Sequence, residues 1–291
     1  MTSPSRNQWV KKIHFSFGFF DDKMPAAFQK RIDKVKKGNP DHTVKIWGPK
    51  ESRALMARRF PTALKHYDSF PWPIQRSDMS RYAILYEEGG VYMDLDYKLR
   101  KPLTEIYQWL DTNQQGGQVF INESSNGIGK NTLSNSFMIA KIKGHSFWPF
   151  LIDRITKVPG SGRGLTRLTK IMTSTGPSQV SHSYGSYLKH KLASYETLRI
   201  LEKTNFNPCS ICHRGSKCAK GKDVLAVHLN AGGWHSTTAK VYNHLYCHRI
   251  FYYIGVPIFI GLIVGLVILI LHLKKCRKTC GPCKFEIVKK K

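Results

Sequence analysis

The residues equipped for chemistry crowd into one stretch, Ser77 to Asp96, which reads SDMSRYAILYEEGGVYMDLD. Asp78 and Arg81 stand three apart, so a helix there carries both on one face. Gly89-Gly90 turns the chain out of that helix. The strand predicted to follow ends in Asp94-x-Asp96, and alternation puts both carboxylates on one side of it. Two carboxylates so placed repel each other unless a cation lies between them. Mg2+ or Mn2+ suits such a pair and can bridge substrate phosphates. Ligands of open α/β sheets gather at the carboxyl ends of strands. The pattern points to a divalent metal holding a diphosphate. A bare D-x-D is also common in solvated turns, and its surroundings decide between the two.

Those surroundings alternate. Lys11 to Phe17 and Thr43 to Trp47 read as short strands. Between them Phe28, Ile32 and Val35 recur at helical spacing within Met24 to Lys37, and Gly38-Asn39-Pro40 stops that helix. Lys50 to Phe60 is helical again. Phe70 to Ile74, with two prolines, reads as a loop, and Ser77 or Asp78 is placed to cap a helix from Met79 to Glu88. A strand from Val91 to Leu95 follows. The alternation predicts an α/β domain with a largely parallel sheet. Further on, Val119 to Asn122, Ser136 to Ile142 and Asp223 to Leu229 read as strands. Phe147 to Thr156 and Leu165 to Thr173 read as helices, Pro159 to Gly164 as a loop and Thr175-Gly176-Pro177 as a turn.

Of the 291 residues, the last part is different in kind. Ile254 to Leu271 runs without a charge for about the length that crosses a hydrocarbon core, with Tyr252 and Tyr253 at one edge and Lys274 and Lys275 at the other. This divides the chain into a domain at 1–250, a transmembrane helix at 251–273 and a basic tail at 274–291. The tail holds eight Lys or Arg against one Glu, which predicts a cytoplasmic tail and a luminal domain. Met1 to Val10 is polar and lacks the apolar run of a signal peptide, which points the other way. Cys209, Cys212, Cys218 and Cys247 precede the apolar run and allow two disulfides. Alternatively, Cys209, Cys212, Cys218 and His213 could bind zinc. Cys276, Cys280 and Cys283 lie where palmitoylation occurs.

The net charge is +27. Such an excess suggests nucleic acid or an anionic membrane. It is uneven: nine of the 19 acids fall between Asp68 and Glu123, whereas Ser124 to Tyr253 carries +14. That distribution favours lipid headgroups or a phosphate-bearing acceptor over nucleic acid, for which no binding signature is present.

The stretch from Ser77 to Asp96 closely resembles the D-x-D sugar-binding region of glycosyltransferase family 32, which includes mannosyltransferases acting on inositol phosphoceramide. The resemblance continues in Lys12-Ile13-His14, Asn39-Pro40 leading to Trp47, Asn135-Ser136-Phe137-Met138, Thr175-Gly176-Pro177, and His228 with Gly232-Gly233-Trp234-His235. Phe15-Ser16-Phe17 and Gly233 depart from the family's pattern. The resemblance implies a GT-A-type nucleotide-sugar-binding fold and transfer with retention of configuration. It implies that Asp94 and Asp96 hold Mn2+ or Mg2+ and the donor diphosphate, with His228 as a further ligand. Asp78, Arg81, Tyr92, Asn135 and Trp234 would contact the nucleotide sugar. The expected donor is GDP-mannose and the expected acceptor a membrane glycolipid such as inositol phosphoceramide, in the Golgi or another endomembrane. A UDP-galactose or UDP-N-acetylglucosamine donor is the alternative, and an inactive basic protein binding anionic lipid is an alternative of another class.

Overall fold

A computed structural model describes residues 8–125, 132–190, 197–212, 216–230, 237–248 and 251–280. Two compact units result, Met1–His235 and Ser236–Lys291.

The first unit is built on a six-stranded sheet. Its strands are β1 (Lys12–Ser16), β2 (Thr43–Trp47), β3 (Gly90–Met93), β5 (Val119–Glu123), β6 (Leu133–Ala140) and β7 (Leu198–Leu201), while β4 (Tyr97–Leu99) and β8 (Ala226–His228) form a separate antiparallel pair. The order across the sheet is β2-β1-β3-β6-β5-β7. β1 runs parallel to β2 and β3, and β5 runs parallel to β7. β6 is antiparallel to both β3 and β5, so the sheet is mixed rather than largely parallel. The reason is the connection: β5 ends at Glu123 and β6 begins at Leu133, a separation shorter than the dozen or so residues that a parallel crossover needs.

Both faces of the sheet are covered. Tyr92, Ile121 and Met138 pack on one side with Tyr82, Leu85, Trp148 and Leu151 from the helices Pro73–Glu88 and Phe147–Thr156. Val91, Met93, Phe137 and Ile139 pack on the other with Ile32, Val35, Ile106 and Leu110 from the helices Ala26–Gly38 and Leu103–Asn113. Adjacent residues of β3 thus serve opposite cores, the expected period of two. The result is a mixed α/β fold of three layers.

Several elements differ from expectation. The helix carrying Asp78 and Arg81 begins at Pro73, so neither Ser77 nor Asp78 caps it. Proline fits the first helical turn, where its missing N–H has no partner to lose. Helices at Leu103–Asn113 and Pro177–His190 form where no helix was expected. Gly90, at φ +82°, lies so close to β1 that a Cβ there would stand 2.4 Å from the Lys12 carbonyl oxygen. Glycine is therefore required where the helix hands over to β3.

The second unit contains the helices Thr237–Cys247 and Val256–Cys280. Tyr253–Lys275 is long and apolar enough to cross a membrane, with a mean hydropathy of 3.0 over its most apolar window.

Candidate functional site

The site forms where β3 ends. The strand stops at Met93, and Asp94 and Asp96 stand in the turn that follows rather than on the strand. The turn is fixed from several directions. The Asp94 N–H donates to the Ser136 carbonyl of β6 (2.8 Å), and the Tyr97 N–H closes the turn on the Asp94 carbonyl (2.9 Å). Arg31 donates to the Leu95 carbonyl (2.5 Å), and the Leu229 N–H to the Asp96 carbonyl (2.9 Å). Strain-free alternation is thus replaced by a hydrogen-bonded turn that holds both carboxylates toward one place.

His228, the last residue of β8, completes the group. Its Nε2 lies 3.1 Å from Asp96 Oδ1, and its ring stacks on Tyr97 with centroids 4.9 Å apart. The register Tyr97↔His228 explains why residues 132 positions from Asp96 arrive beside it. The Tyr97 hydroxyl is hydrogen-bonded to buried Asn122 at 2.9 Å. One ligand atom from each of Asp94, Asp96 and His228 lies within 4.8 Å of the others.

A second, buried layer stands behind Asp94. Arg81 donates through Nη1 to Asp94 Oδ1 (3.2 Å) and to the Asn135 carbonyl (2.8 Å), and pairs through Nη2 with Asp78 Oδ1 (3.0 Å). Asp78 also accepts from Asn135 Nδ2 (3.0 Å) and from the Thr175 hydroxyl (2.9 Å). The same Asn135 amide donates to the Tyr82 hydroxyl (2.9 Å), which in turn donates to the Thr175 carbonyl (2.6 Å). The Arg81 guanidinium lies 4.7 Å from the centre of the Tyr92 ring, and the Tyr92 hydroxyl donates to Asp94 (3.2 Å). Asp78 and Arg81 are only 4% and 3% exposed. Buried charges of this kind persist when paired and hydrogen-bonded, as these are.

The electrostatics fit a cation. Burial pushes the Asp94 carboxyl up to about 6; Arg81 pulls it down, and Asp96 raises it further. Burial opposes a charge on His228, but the hydrogen bond to Asp96 and the nearby Asp94 outweigh it and raise the imidazole. The raised His228 and the Asp96 contribution at Asp94 both report negative charge gathered at the turn. Oxygen ligands from two carboxylates with one imidazole are a donor set that Mn2+ or Mg2+ accepts.

The structure brings together seven of the expected residues: Asp78, Arg81, Tyr92, Asp94, Asp96, Asn135 and His228. Trp234, and with it Gly232, Gly233 and His235, lies outside the described residues. The Asn135 amide nitrogen and both Asp78 carboxylate oxygens are spent on each other, Tyr82, Thr175 and Arg81. Their visible work is to hold Arg81 against the turn. Sequence reasoning missed Tyr82, Tyr97 and Arg31. Tyr82 follows Asp78 by four and so shares its helix face, a signal that was present. Cys209 and Cys218 form a disulfide, which removes both from a zinc site; His213 lies outside the described residues.

Sequence comparison with known proteins falls on the same stretch of the chain. The family description "glycosyltransferase sugar-binding region containing DXD motif" matches residues 25–116, which end beyond the turn. Inositol phosphoceramide mannosyltransferase 1 of Schizosaccharomyces pombe is 26% identical over 76% of this chain and 61% of its own length. Inositol phosphoceramide mannosyltransferase 3 of the same organism is 31% identical over 52% of this chain and 38% of its own. The chain thus spans less than two thirds of either relative. Among solved structures, PaToxG glycosyltransferase aligns with a TM-score of 0.45 at 15% identity, over 64% of this chain and 73% of that one. The D-x-D turn lies inside the matched segment, and the chain is similar there to DXD-containing glycosyltransferases of the family-32-like kind.

Proposed function

We propose that the protein is a membrane-anchored, metal-dependent glycosyltransferase that moves mannose from GDP-mannose to inositol phosphoceramide or a related glycolipid. The observation that carries this reading is the convergence of Asp94, Asp96 and His228 on one point beside a buried arginine. The relatives named as inositol phosphoceramide mannosyltransferases support the transferred mannose and the acceptor. The apolar span Tyr253–Lys275 supports the anchor, and anchoring raises the local concentration of a lipid acceptor.

Asp94, Asp96 and His228 would hold Mn2+ or Mg2+. When bound, such an ion supplies positive charge against the negative charge that builds on the diphosphate as the sugar leaves. The chain's own residues prepare the place. Arg81 fixes the Asp94 carboxylate, and Tyr92 hydrogen-bonds the same oxygen. Tyr97 and Asn122 orient the His228 ring from below. Asp78 and Asn135 keep Arg81 aimed at the turn, with Trp234 assigned to close over the donor. Residues 1–250 form the catalytic part in this reading, 251–273 the span and 274–291 the tail. The Cys209–Cys218 disulfide favours an oxidising lumen, in an endomembrane such as the Golgi, for the catalytic part.

A donor panel read by mass spectrometry tests the proposal. Full-length protein is incubated with membrane lipid extract, Mn2+ and GDP-mannose, UDP-galactose or UDP-N-acetylglucosamine. A hexose added to inositol phosphoceramide from GDP-mannose alone is expected. Transfer from a UDP-sugar would replace the donor assignment, and transfer only to soluble glycans would remove the lipid acceptor.

A further inference from the structure

A loop far from the D-x-D turn in sequence is built with unusual care for a surface feature. Residues 157–166 connect the helices Phe147–Thr156 and Arg167–Ser174. The Gly162 N–H donates to the Pro159 carbonyl (2.7 Å). The Arg163 N–H donates to the Thr173 hydroxyl (2.9 Å), and that hydroxyl donates to the Arg163 carbonyl (2.8 Å). Thr166 caps the following helix through the Thr169 N–H (3.1 Å). Gly162, at φ +68°, passes so near the helix that a Cβ would meet the Lys170 carbonyl oxygen at 1.9 Å. The loop is therefore a folded element with one shape.

What that shape presents is Leu165, fully exposed (100%), between Arg163 and Arg167. Arg167 also lies 5.9 Å from the ring of the half-buried Trp72. From Arg154 to Lys189 there are six Lys or Arg and no Asp or Glu. Among the described residues no carboxylate pairs with Arg163, Arg167 or Lys170. The loop is also tied to the site's own helix. Gln75 donates to the Gly160 carbonyl and to the Ser174 hydroxyl, both at 2.7 Å, one turn before Asp78. The residue after Ser174 is Thr175, which donates to Asp78.

We infer that Arg163-Gly164-Leu165-Thr166-Arg167 docks on an anionic lipid surface, with Leu165 entering the acyl boundary and the flanking arginines meeting headgroup phosphates. The inference rests on the membrane-anchored reading of the chain. An exposed leucine alone is ordinary. Here it is held by a hydrogen-bonded loop, flanked by arginines that no described carboxylate pairs, and carried by a chain with a membrane-length apolar helix. Apolar insertion and attraction to anionic lipid reinforce each other, and each basic side chain adds to binding near such a surface. Because the loop abuts the helix of Asp78 and Arg81, docking would bring headgroups to the edge of the donor site.

The test uses full-length protein in nanodiscs, with an environment-sensitive fluorescent amino acid at position 165 by amber suppression and bromolipid in the bilayer. A blue shift and bromolipid quenching are expected in discs containing phosphatidylserine, and neither in discs of phosphatidylcholine alone. The double variant R163E/R167E should lower the docked-to-free ratio about tenfold or more. Emission that is the same in both discs and unquenched by bromolipid would overturn the inference. A docked loop in a protein that transfers no sugar would leave the inference standing and remove the proposed activity. Transfer with an undocked loop would do the reverse. Failure of the protein to insert into discs would remove the anchoring, and the inference with it.

Discussion

Arg81 reaches from the middle of a buried helix to Asp94 in the D-x-D turn, Nη1 to Oδ1 at 3.2 Å, while its other terminal nitrogen holds Asp78 at 3.0 Å. One guanidinium thus links the metal-binding turn to the helix that precedes it in sequence. Burial opposes the arginine's charge, but Asp94, Tyr92 and Asp78 more than offset this and raise its pKa. The planar fork serves two carboxylates at once, which an ammonium does not do.

Replacing Arg81 should therefore be costly. Arg81→Met leaves two carboxylates without their cation and should destabilise the domain by ~3–5 kcal/mol. Arg81→Lys should recover only part of this. Chemical denaturation of the detergent-solubilised chain measures both.

The fold should be sensitive to mild acid through His14. Its Nε2–H donates to the Gly89 carbonyl (2.9 Å), and its Nδ1 accepts from the Trp47 indole (3.2 Å), so the neutral ring is fully satisfied. Burial lowers its pKa from 6.5 to about 4. The unfolded state binds a proton at higher pH than the folded state does. The stability is thus complete above pH 6.5 and is lost as pH falls toward 4, by ~3 kcal/mol in all. Thermal melts across that window check the slope, and His14→Gln should flatten it.

Gly90→Ala should destabilise by at least ~2 kcal/mol, because a side chain at φ +82° must also displace the β1 backbone. Gly38→Ala, where a Cβ meets nothing within 4 Å, should change stability by no more than about 0.5 kcal/mol. Melting temperatures of the pair provide the comparison.

The ring beneath His228 should tune metal binding. Tyr97→Leu keeps an apolar filler but removes the stacked platform and the contact with Asn122. Mn2+ affinity should fall about tenfold, as loss of outer-shell support generally produces. Titration followed by Mn2+ electron paramagnetic resonance reads the change directly.

Much of the site was legible in the sequence because it is local. Asp78, Arg81, Asp94 and Asp96 lie within nineteen residues, and helix spacing plus a glycine pair relates them. The sheet's strands β1, β2 and β5 also follow from apolar runs bounded by turns. Three things were not legible. The antiparallel placement of β6 depends on a pairing choice that alternation of elements does not encode. The turn at Asp94–Asp96 is set by long-range bonds to Ser136, Arg31 and Leu229, none of which a local pattern announces. The helix Pro177–His190 begins at the proline of a turn motif, and proline there marks a helix start as readily as a stop.

The central claim is that the Asp94–Asp96–His228 cluster supports metal-dependent mannosyl transfer to lipid. The most direct measurement is mass-spectrometric detection of mannosylated inositol phosphoceramide made from GDP-mannose by the full-length protein. Wild type, Asp96→Asn and Asp94→Ala are compared, each with Mn2+, after chelation and after Mn2+ is restored. Product is predicted for wild type with Mn2+, lost on chelation and regained on restoring the ion. Both variants should stay folded and fall by about a hundredfold or more. Full transfer by folded Asp94→Ala or Asp96→Asn, or transfer by wild type unaffected by chelation, would contradict the account.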